Sequence, residues 1–284
     1  SLPLADDGFR TAAALCFAAE GAKLAICARG AAALEATAKE IRALGASVHA
    51  QTADVGKPAE LDAFLEAARA AFGRIDVLVN NSSGFGISDD EAGWKVSFDV
   101  DVMASVRASW KVVPWMTEQG GGVIVHISST SALEAGSPPS YAAAKAALIS
   151  HSKTLAVALA PAKIRVLAIA PGSIEFPGGA WEQIKNGNRP YYDAIRASIP
   201  WGRLGTAEEV ASAIVFAASP RASRITGVVI SSVVPTSTTA LRDMVNRYFN
   251  FPPVVVEPGT RTGLSIQTDH PREVGADRIV NALA

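Results

Sequence analysis

Apolar positions along the chain alternate between two periods. Residues 9–20 carry an alanine-rich helical pattern that stops at Gly21, and residues 23–28 form a short apolar run with strand character. The same alternation continues down the chain. Helices are predicted over 31–44, 58–72, 94–118, 141–160, 181–198 and 207–217, and strands over 47–53, 75–80, 122–128, 164–169 and from 227. Pro58 stands where proline is tolerated, in a first helical turn, and Gly45 and Gly73 stand where helices stop. The strands are short continuous apolar runs, as expected where both sheet faces are buried. Strand–helix–strand units with short links predict an α/β fold, a doubly wound parallel sheet with helices on both faces.

From Pro235 the pattern changes. A Pro/Thr/Ser-rich stretch leads to a predicted helix at 240–249, the apolar run Val254-Val-Val256 and two Pro/Gly-containing segments. A boundary is therefore expected near residue 230, with one domain over 1–230 and an appendage over 231–284.

Composition narrows the classes of function. With 49% hydrophobic and 19% charged residues, the 284-residue chain can build a sizeable core. A formal net charge of -1 offers no global field for nucleic acid or an anionic membrane. No apolar run reaches membrane-spanning length, and the start lacks the basic-then-apolar pattern of a signal peptide. Cys16 and Cys27 cannot make a disulfide scaffold, so buried thiols in a reduced, cytoplasmic setting are expected. His49, His126, His151 and His270 lack metal-ligand spacing, and no metal is expected.

The residues with the clearest chemistry are Ser129, Tyr141 and Lys145. Tyr141 and Lys145 lie four apart near a helix start and share a face. A neighbouring ammonium favours phenolate, and such a tyrosine exchanges a proton with a carbonyl or alcohol oxygen. Ser129 follows a strand, at the sheet edge where ligands of open α/β sheets bind. Asp76-Val-Leu-Val-Asn-Asn81, Ile127-Ser-Ser129, Ser140-Tyr-Ala-Ala-Ala-Lys-Ala-Ala-Leu148 and Ala170-Pro-Gly172 follow one another in order.

Together these segments resemble the short-chain dehydrogenase/reductase family over about residues 9–230. The resemblance implies a Rossmann-type fold and hydride transfer between a nicotinamide and a ketone or secondary alcohol. It makes Tyr141 the acid/base, Lys145 its modifier and a ribose ligand, and Ser129 the group positioning the substrate oxygen, with Ser128 as the alternative serine. Asp101 falls where the family carries an asparagine, whose backbone carbonyl role an aspartate can supply. Asn80 is expected beside the adenosine ribose, Asp54 and Val55 at the adenine, and Pro171 and Gly172 near the nicotinamide. The plain reading of Asp54 is a helix cap. Arg29 follows the first readable strand with no acidic residue there, which resembles NADP-preferring members, with NAD the alternative. Relatives pair through the two long helices, which implies a homodimer or homotetramer.

Two departures stand out. The family opens on a strand and Thr-Gly-x-x-x-Gly-x-Gly, whereas here only Gly8 of that motif remains and no apolar strand precedes it. A gap in the centre of the sheet is expected, with residues 1–8 a poor substitute strand or another segment in the slot. The expectation is that residues 254–256 partly fill it or that it is left disordered. Arg10 reads as a solvated helix-start residue, Asp6 and Asp7 as caps, and Glu175 as occupying a position where relatives carry a cofactor-contacting threonine. The tail segments Gly227-Val-Val-Ile-Ser-Ser-Val-Val-Pro235, Pro258-Gly-Thr-Arg-Thr-Gly263 and Pro271-Arg-Glu-Val-Gly-Ala-Asp-Arg-Ile-Val-Asn281 resemble an internal piece of type III pantothenate kinase, with Asp277 at the family's base position. The phosphate loops that such a kinase needs are absent, so an appended segment without catalysis is expected. The competing reading of the whole chain is a recombined Rossmann-like protein that binds cofactor weakly.

Overall fold

Each helix begins and ends where local chemistry dictates. Helix α3 (Pro58–Phe72) has proline in its first turn and ends on Gly73, whose φ of 77° places it in the left-handed region open to glycine. Helix α9 (Ala207–Ala218) opens on a capping box in which Thr206 accepts the Glu209 amide and Glu209 accepts the Thr206 amide at 2.8 Å. The computed structural model describes residues 7–223, 225 and 227–230. The chain divides into two units, 1–232 and 233–284, and all the described residues belong to the first. The expectations for residues 1–6 and for the tail lie outside the described residues.

The remaining helices are α1 (Asp7–Ala19), α2 (Ala31–Ala43), α4 (Glu91–Ser97), α5 (Ala104–Glu118), α6 (Pro139–Leu159), α7 (Ala180–Gly187) and α8 (Arg189–Ser198). The strands are β1 (Leu24–Ala28), β2 (Val48–Thr52), β3 (Val77–Asn80), β4 (Gly122–Ile127), β5 (Ile164–Ala170), β6 (Ile174–Glu175), β7 (Gly205–Thr206) and β8 (Gly227–Ile230). The long helix expected over 94–118 is α4 and α5 joined through a π-helical turn at Phe98–Met103. The single helix expected over 181–198 is instead two. Asn188 leaves helical geometry, with φ -145° and ψ 71°, and its side chain caps α8 by accepting the Tyr191 amide. Pro190 favours that break, because proline gives no N–H to a continuing helix, clashes with the preceding turn and suits a first turn. The two-residue pair β6–β7 has no periodicity and was not legible in the chain.

All ladders are parallel. The strands order as β3-β4-β5-β8, with Val77 opposite Val123, Ile124 opposite Val166 and Leu167 opposite Gly227. A separate pair, β1-β2, has Leu24 opposite Val48. No described strand lies between β1 and β3. The helical layers nevertheless cross the divide. On one face, Ala14 and Ala18 of α1 pack with Leu24, Ile26 and Val48, while Ala12 and Ala13 pack with Val77, Val79, Val123 and Val125. On the other face, Leu61, Phe64, Leu65, Ala104 and Val112 share a core with Ala25 and Cys27 of β1 and with Leu78 and Ile124. Burial records the break. Strand β1 is half-buried along its length, while β4 is buried from Val123 to Ile127.

An edge strand with half-buried amides opens more readily than one paired on both sides. In native-state hydrogen exchange, amides of β1 and β3 should therefore exchange about 10-fold or more faster than those of β4 and β5. Equal protection across the four strands would show that the divide is closed in solution.

Candidate active site

The residues predicted to carry chemistry converge at the carboxyl ends of β3, β4 and β5. Strand β4 delivers Ser128 and Ser129 to this edge. Ser128 is buried, and its hydroxyl donates to the Lys145 carbonyl at 2.8 Å, so it joins strand to helix. Ser129 begins the following turn and accepts the Ser131 amide at 3.1 Å. Its half-buried place leaves it the better-placed serine for a ligand. Helix α6 carries Tyr141 and Lys145 one turn apart. The Lys145 Nζ lies 5.6 Å from the centre of the Tyr141 ring.

Lys145 is only 3% exposed. Its ammonium donates to the Ile127 carbonyl at 3.0 Å and forms an ion pair with Asp101 Oδ1 at 2.8 Å. Asp101 is fully buried in the π turn, and its Oδ2 accepts the Gly84 amide at 2.8 Å. Its backbone carbonyl accepts the Ser105 hydroxyl at 2.8 Å. Sequence reasoning placed Asp101 at this site but did not reveal that ion pair.

The loop after β3 forms a second wall. Gly86 donates its amide to Ser97 at 3.2 Å, and Ser140 donates its hydroxyl to the Gly86 carbonyl at 3.0 Å. So pinned, the loop sets the Phe85 ring against Tyr141 edge-on, with centroids 5.1 Å apart. Phe85 has a φ of 47°, a left-handed conformation costly for a bulky residue. A Cβ at Gly86 would come within 2.3 Å of the Gly93 carbonyl oxygen. The run Gly84-Phe-Gly86 was the signal for this wall, and the sequence reading passed over it.

The residues expected at the cofactor are spread along the same edge. Arg29 follows β1 and is exposed, and Val55 is half-buried against the core. Asp54 does not cap α3. It accepts the Gly56 amide at 3.0 Å, and the cap position belongs to Lys57. Asn80 turns inward, donating its amide to Nδ1 of the buried His126 at 3.1 Å. Pro171 is buried, its carbonyl accepting the Thr130 amide at 3.0 Å, while Gly172 is exposed with open space around it. Gly8 lies under the Phe176 ring, and a Cβ there would come within 2.5 Å of it. Arg10 is half-buried rather than solvated, its Nε donating to the Asn81 carbonyl at 3.1 Å. Glu175 accepts Lys185 at 2.7 Å and the Tyr192 hydroxyl at 2.5 Å, fastening α7 and α8 to the strand edge. Those two bonds, the Lys185 one foremost, hold its carboxyl below the usual range.

This arrangement fits the nicotinamide and ribose end of a dinucleotide, where Lys145, Pro171 and Gly172 would hold the group and Arg29, Asp54 and Val55 its adenosine half. The residues before α1 lie outside the described residues, and Phe176 covers Gly8 at its start. The two cysteines are half-buried rather than fully buried, and burial pushes the Cys27 thiol up to about 11 against the opposing pull of Arg10. Among the described residues no cluster of His, Cys, Asp and Glu is arranged to hold a metal ion, and no helix is long and apolar enough to cross a membrane.

The chain belongs to the short-chain dehydrogenase/reductase family. The family model described as enoyl-(acyl carrier protein) reductase matches residues 4–232. A second model, type III pantothenate kinase, matches residues 193–284. The chain is 36% identical over 235 residues to a 3-oxoacyl-[acyl-carrier-protein] reductase of Thermotoga maritima, covering 80% of this chain and 92% of that protein. It is similar to the L-sorbose reductase of Gluconobacter frateurii solved with NADPH and L-sorbose, with TM-score 0.74, 32% identity and coverage of 80% and 92%. It is also similar to a 7α-hydroxysteroid dehydrogenase solved with NADH and a 7-oxo bile acid, with TM-score 0.73, 31% identity and coverage of 79% and 89%. The chain is thus an NAD(P)-dependent oxidoreductase by family.

His126 makes acid stability a test of this site. Burial, then the fields of His151 and Lys145, lower its pKa from 6.5 to about 3, so it stays neutral in the fold. Below pH 6.5 the unfolded chain takes up a proton that the folded chain refuses. Stability is therefore intact above pH 6.5 and falls between pH 6.5 and about 3, by roughly 1.4 kcal/mol per unit. In urea titrations at pH 7 and 5, His126→Asn should lose about 2 kcal/mol less than the parent chain between those pH values. Equal losses would remove His126 from the account.

Proposed function

We propose that this chain is an NADP(H)-dependent carbonyl/alcohol oxidoreductase acting on a small ketone or secondary alcohol, with Tyr141 as acid/base. The observation that carries the reading is the joining of Tyr141 and Lys145 on one turn of α6, beside Ser129 at the end of β4. A nicotinamide, when bound, supplies the hydride to the carbonyl carbon or takes it from the alcohol carbon. In the reducing direction Tyr141 gives its hydroxyl proton to the carbonyl oxygen as that oxygen becomes an alcohol, and in the oxidising direction it takes the proton back. Ser129 donates a hydrogen bond that positions the same oxygen. Lys145 lends positive charge to the phenolate and a donor to the ribose.

The NADP preference rests on exposed Arg29, whose guanidinium suits a 2′-phosphate, with no carboxylate at the end of β1 to claim a 2′-hydroxyl. The place of action is proposed as cytoplasmic, from the two free cysteines. Residues 231–284 are proposed to be an appended segment that lacks kinase activity. The second reading, a Rossmann-like protein that binds cofactor too weakly to turn over, is favoured by the divided sheet and by Phe176 over Gly8.

One experiment separates the two. NADPH and NADH are titrated by fluorescence, and turnover is followed with a panel of ketones. The first reading expects NADPH to bind more tightly than NADH. It also expects Tyr141→Phe to lower turnover on the order of 10²–10⁴-fold while melting temperature and NADPH affinity stay unchanged. Undetectable turnover and no NADPH binding in the parent chain would leave the second reading standing.

Assembly is proposed through the long helices. Trp110 on α5 is 65% exposed and Val157 on α6 is 79% exposed, which suits a surface that a second copy covers. Light scattering at micromolar concentration should give a dimer or tetramer, and Trp110→Glu should shift it toward monomer. A parent chain that scatters as a monomer across that range removes the proposal.

A further inference from the structure

Groups from three elements close in on the Lys145 ammonium. Asp101 is fully buried and reaches it from the π turn at 2.8 Å, and the Ile127 carbonyl reaches it from β4 at 3.0 Å. Tyr141 on α6 lies 5.6 Å from it, and His126 on β4 feels its charge, with the His151 ring against His126. Burial keeps both histidines on the neutral side. Asp101 is thus the negative charge that faces this ammonium, and two opposite charges at 2.8 Å present a dipole rather than a full positive charge to their neighbours. Gly84 donates its amide to the far oxygen of Asp101, which fixes the carboxylate in that orientation.

We propose that Asp101 is a positioning residue that restrains the site, holding Lys145 in a buried neutral pair and so withholding its charge from Tyr141 and from the cofactor ribose. The proposal rests on the functional reading above and deepens it. In the alcohol-oxidising direction Tyr141 must accept a proton, so turnover rises with pH. A Lys145 whose charge is cancelled supports the phenolate less, and that rise falls at higher pH. The ribose likewise meets an ammonium whose field the adjacent carboxylate offsets.

The test is Asp101→Asn. The amide has the same shape and keeps an oxygen for the Gly84 amide, but it removes the charge beside Lys145. With NADP and a secondary alcohol, the rise of kcat with pH should move about one unit to the acid side, giving roughly tenfold higher kcat at pH 7. NADPH should also bind several-fold more tightly by fluorescence. A profile that keeps its pH position, with NADPH affinity unchanged, overturns the proposal, because a merely structural aspartate would lower activity without moving the curve.

Removing one partner of a buried pair can unfold a chain, so a second measurement uses the parent protein. In lysine-15N-labelled protein, the Lys145 ammonium should give a slowly exchanging resonance that persists when NADP is added. That resonance is assigned by its loss in the charge-neutral double variant Asp101→Asn/Lys145→Met. No protected resonance, or its loss on adding NADP, overturns the proposal. Failure of the functional reading is distinguishable, since a Tyr141→Phe chain that turns over like the parent would remove the acid/base assignment and leave the ammonium resonance in place.

Discussion

The active-site edge depends on one buried charge. An ammonium with 3% exposure cannot remain charged without partners, because an unpaired buried charge costs several kcal/mol. Lys145 therefore has to be answered by groups from elsewhere in the chain, and the answer organises the site. Ile127 supplies a carbonyl from the end of β4, and Asp101 supplies a carboxylate from the helix opposite. That helix can aim Asp101 inward because it runs through a π turn at Phe98–Met103, where the extra residue per turn re-registers the face below it. Buried Ser105 and Ser109 return their hydroxyls to carbonyls four residues earlier and so satisfy the polar groups of the helix around the same place. The loop bearing Phe85 is then held by the other oxygen of Asp101 through Gly84, and Phe85 in turn meets Tyr141. Tyr141 is thus tied through Phe85 and Gly84 to the pair that holds the charge.

The sheet obeys a different constraint, and the two are nearly independent. A parallel strand offers hydrogen bonds on both edges, yet β1 and β3 each have one edge without a described strand. The unit keeps its layers through helices instead. The small residues Ala12, Ala13, Ala14 and Ala18 let α1 lie close over both parts, and α3 and α5 carry the opposite core across. The layers are thus continuous where the sheet is not.

Much of this was legible in the chain. The period of apolar residues, with Pro58, Gly45 and Gly73 as stops, placed nearly every helix and long strand to within one or two residues. The four-residue spacing of Tyr141 and Lys145 put them one turn apart on α6. Short-range signals sufficed for these. The features that escaped depend on partners far along the chain. Asn80 turns inward because His126, 46 residues later, accepts its amide. Arg10 leaves solvent for the Asn81 carbonyl, 71 residues away. Strands β6 and β7 are two residues each, too short for any period, and exist because Ile174 meets Gly205 across an intervening pair of helices.

Chemistry can be read from this chain while substrate cannot, and the cause is again where the partners lie. Helices α7 and α8 form a satellite core of Tyr192, Ile199 and Leu204 with Trp181, Ile184 and Ile195, separate from the cores that pack the sheet. They are fastened to the strand edge through Glu175, which accepts bonds from Lys185 and Tyr192. A cap with its own core can change its apolar residues without disturbing Ser129, Tyr141 or Lys145, which stand on β4 and α6. Reaction type is therefore written in residues whose spacing the sheet dictates, and it leaves a motif. Packing within α7 and α8 need satisfy only itself and its anchor at Glu175, and packing leaves no spacing to recognise.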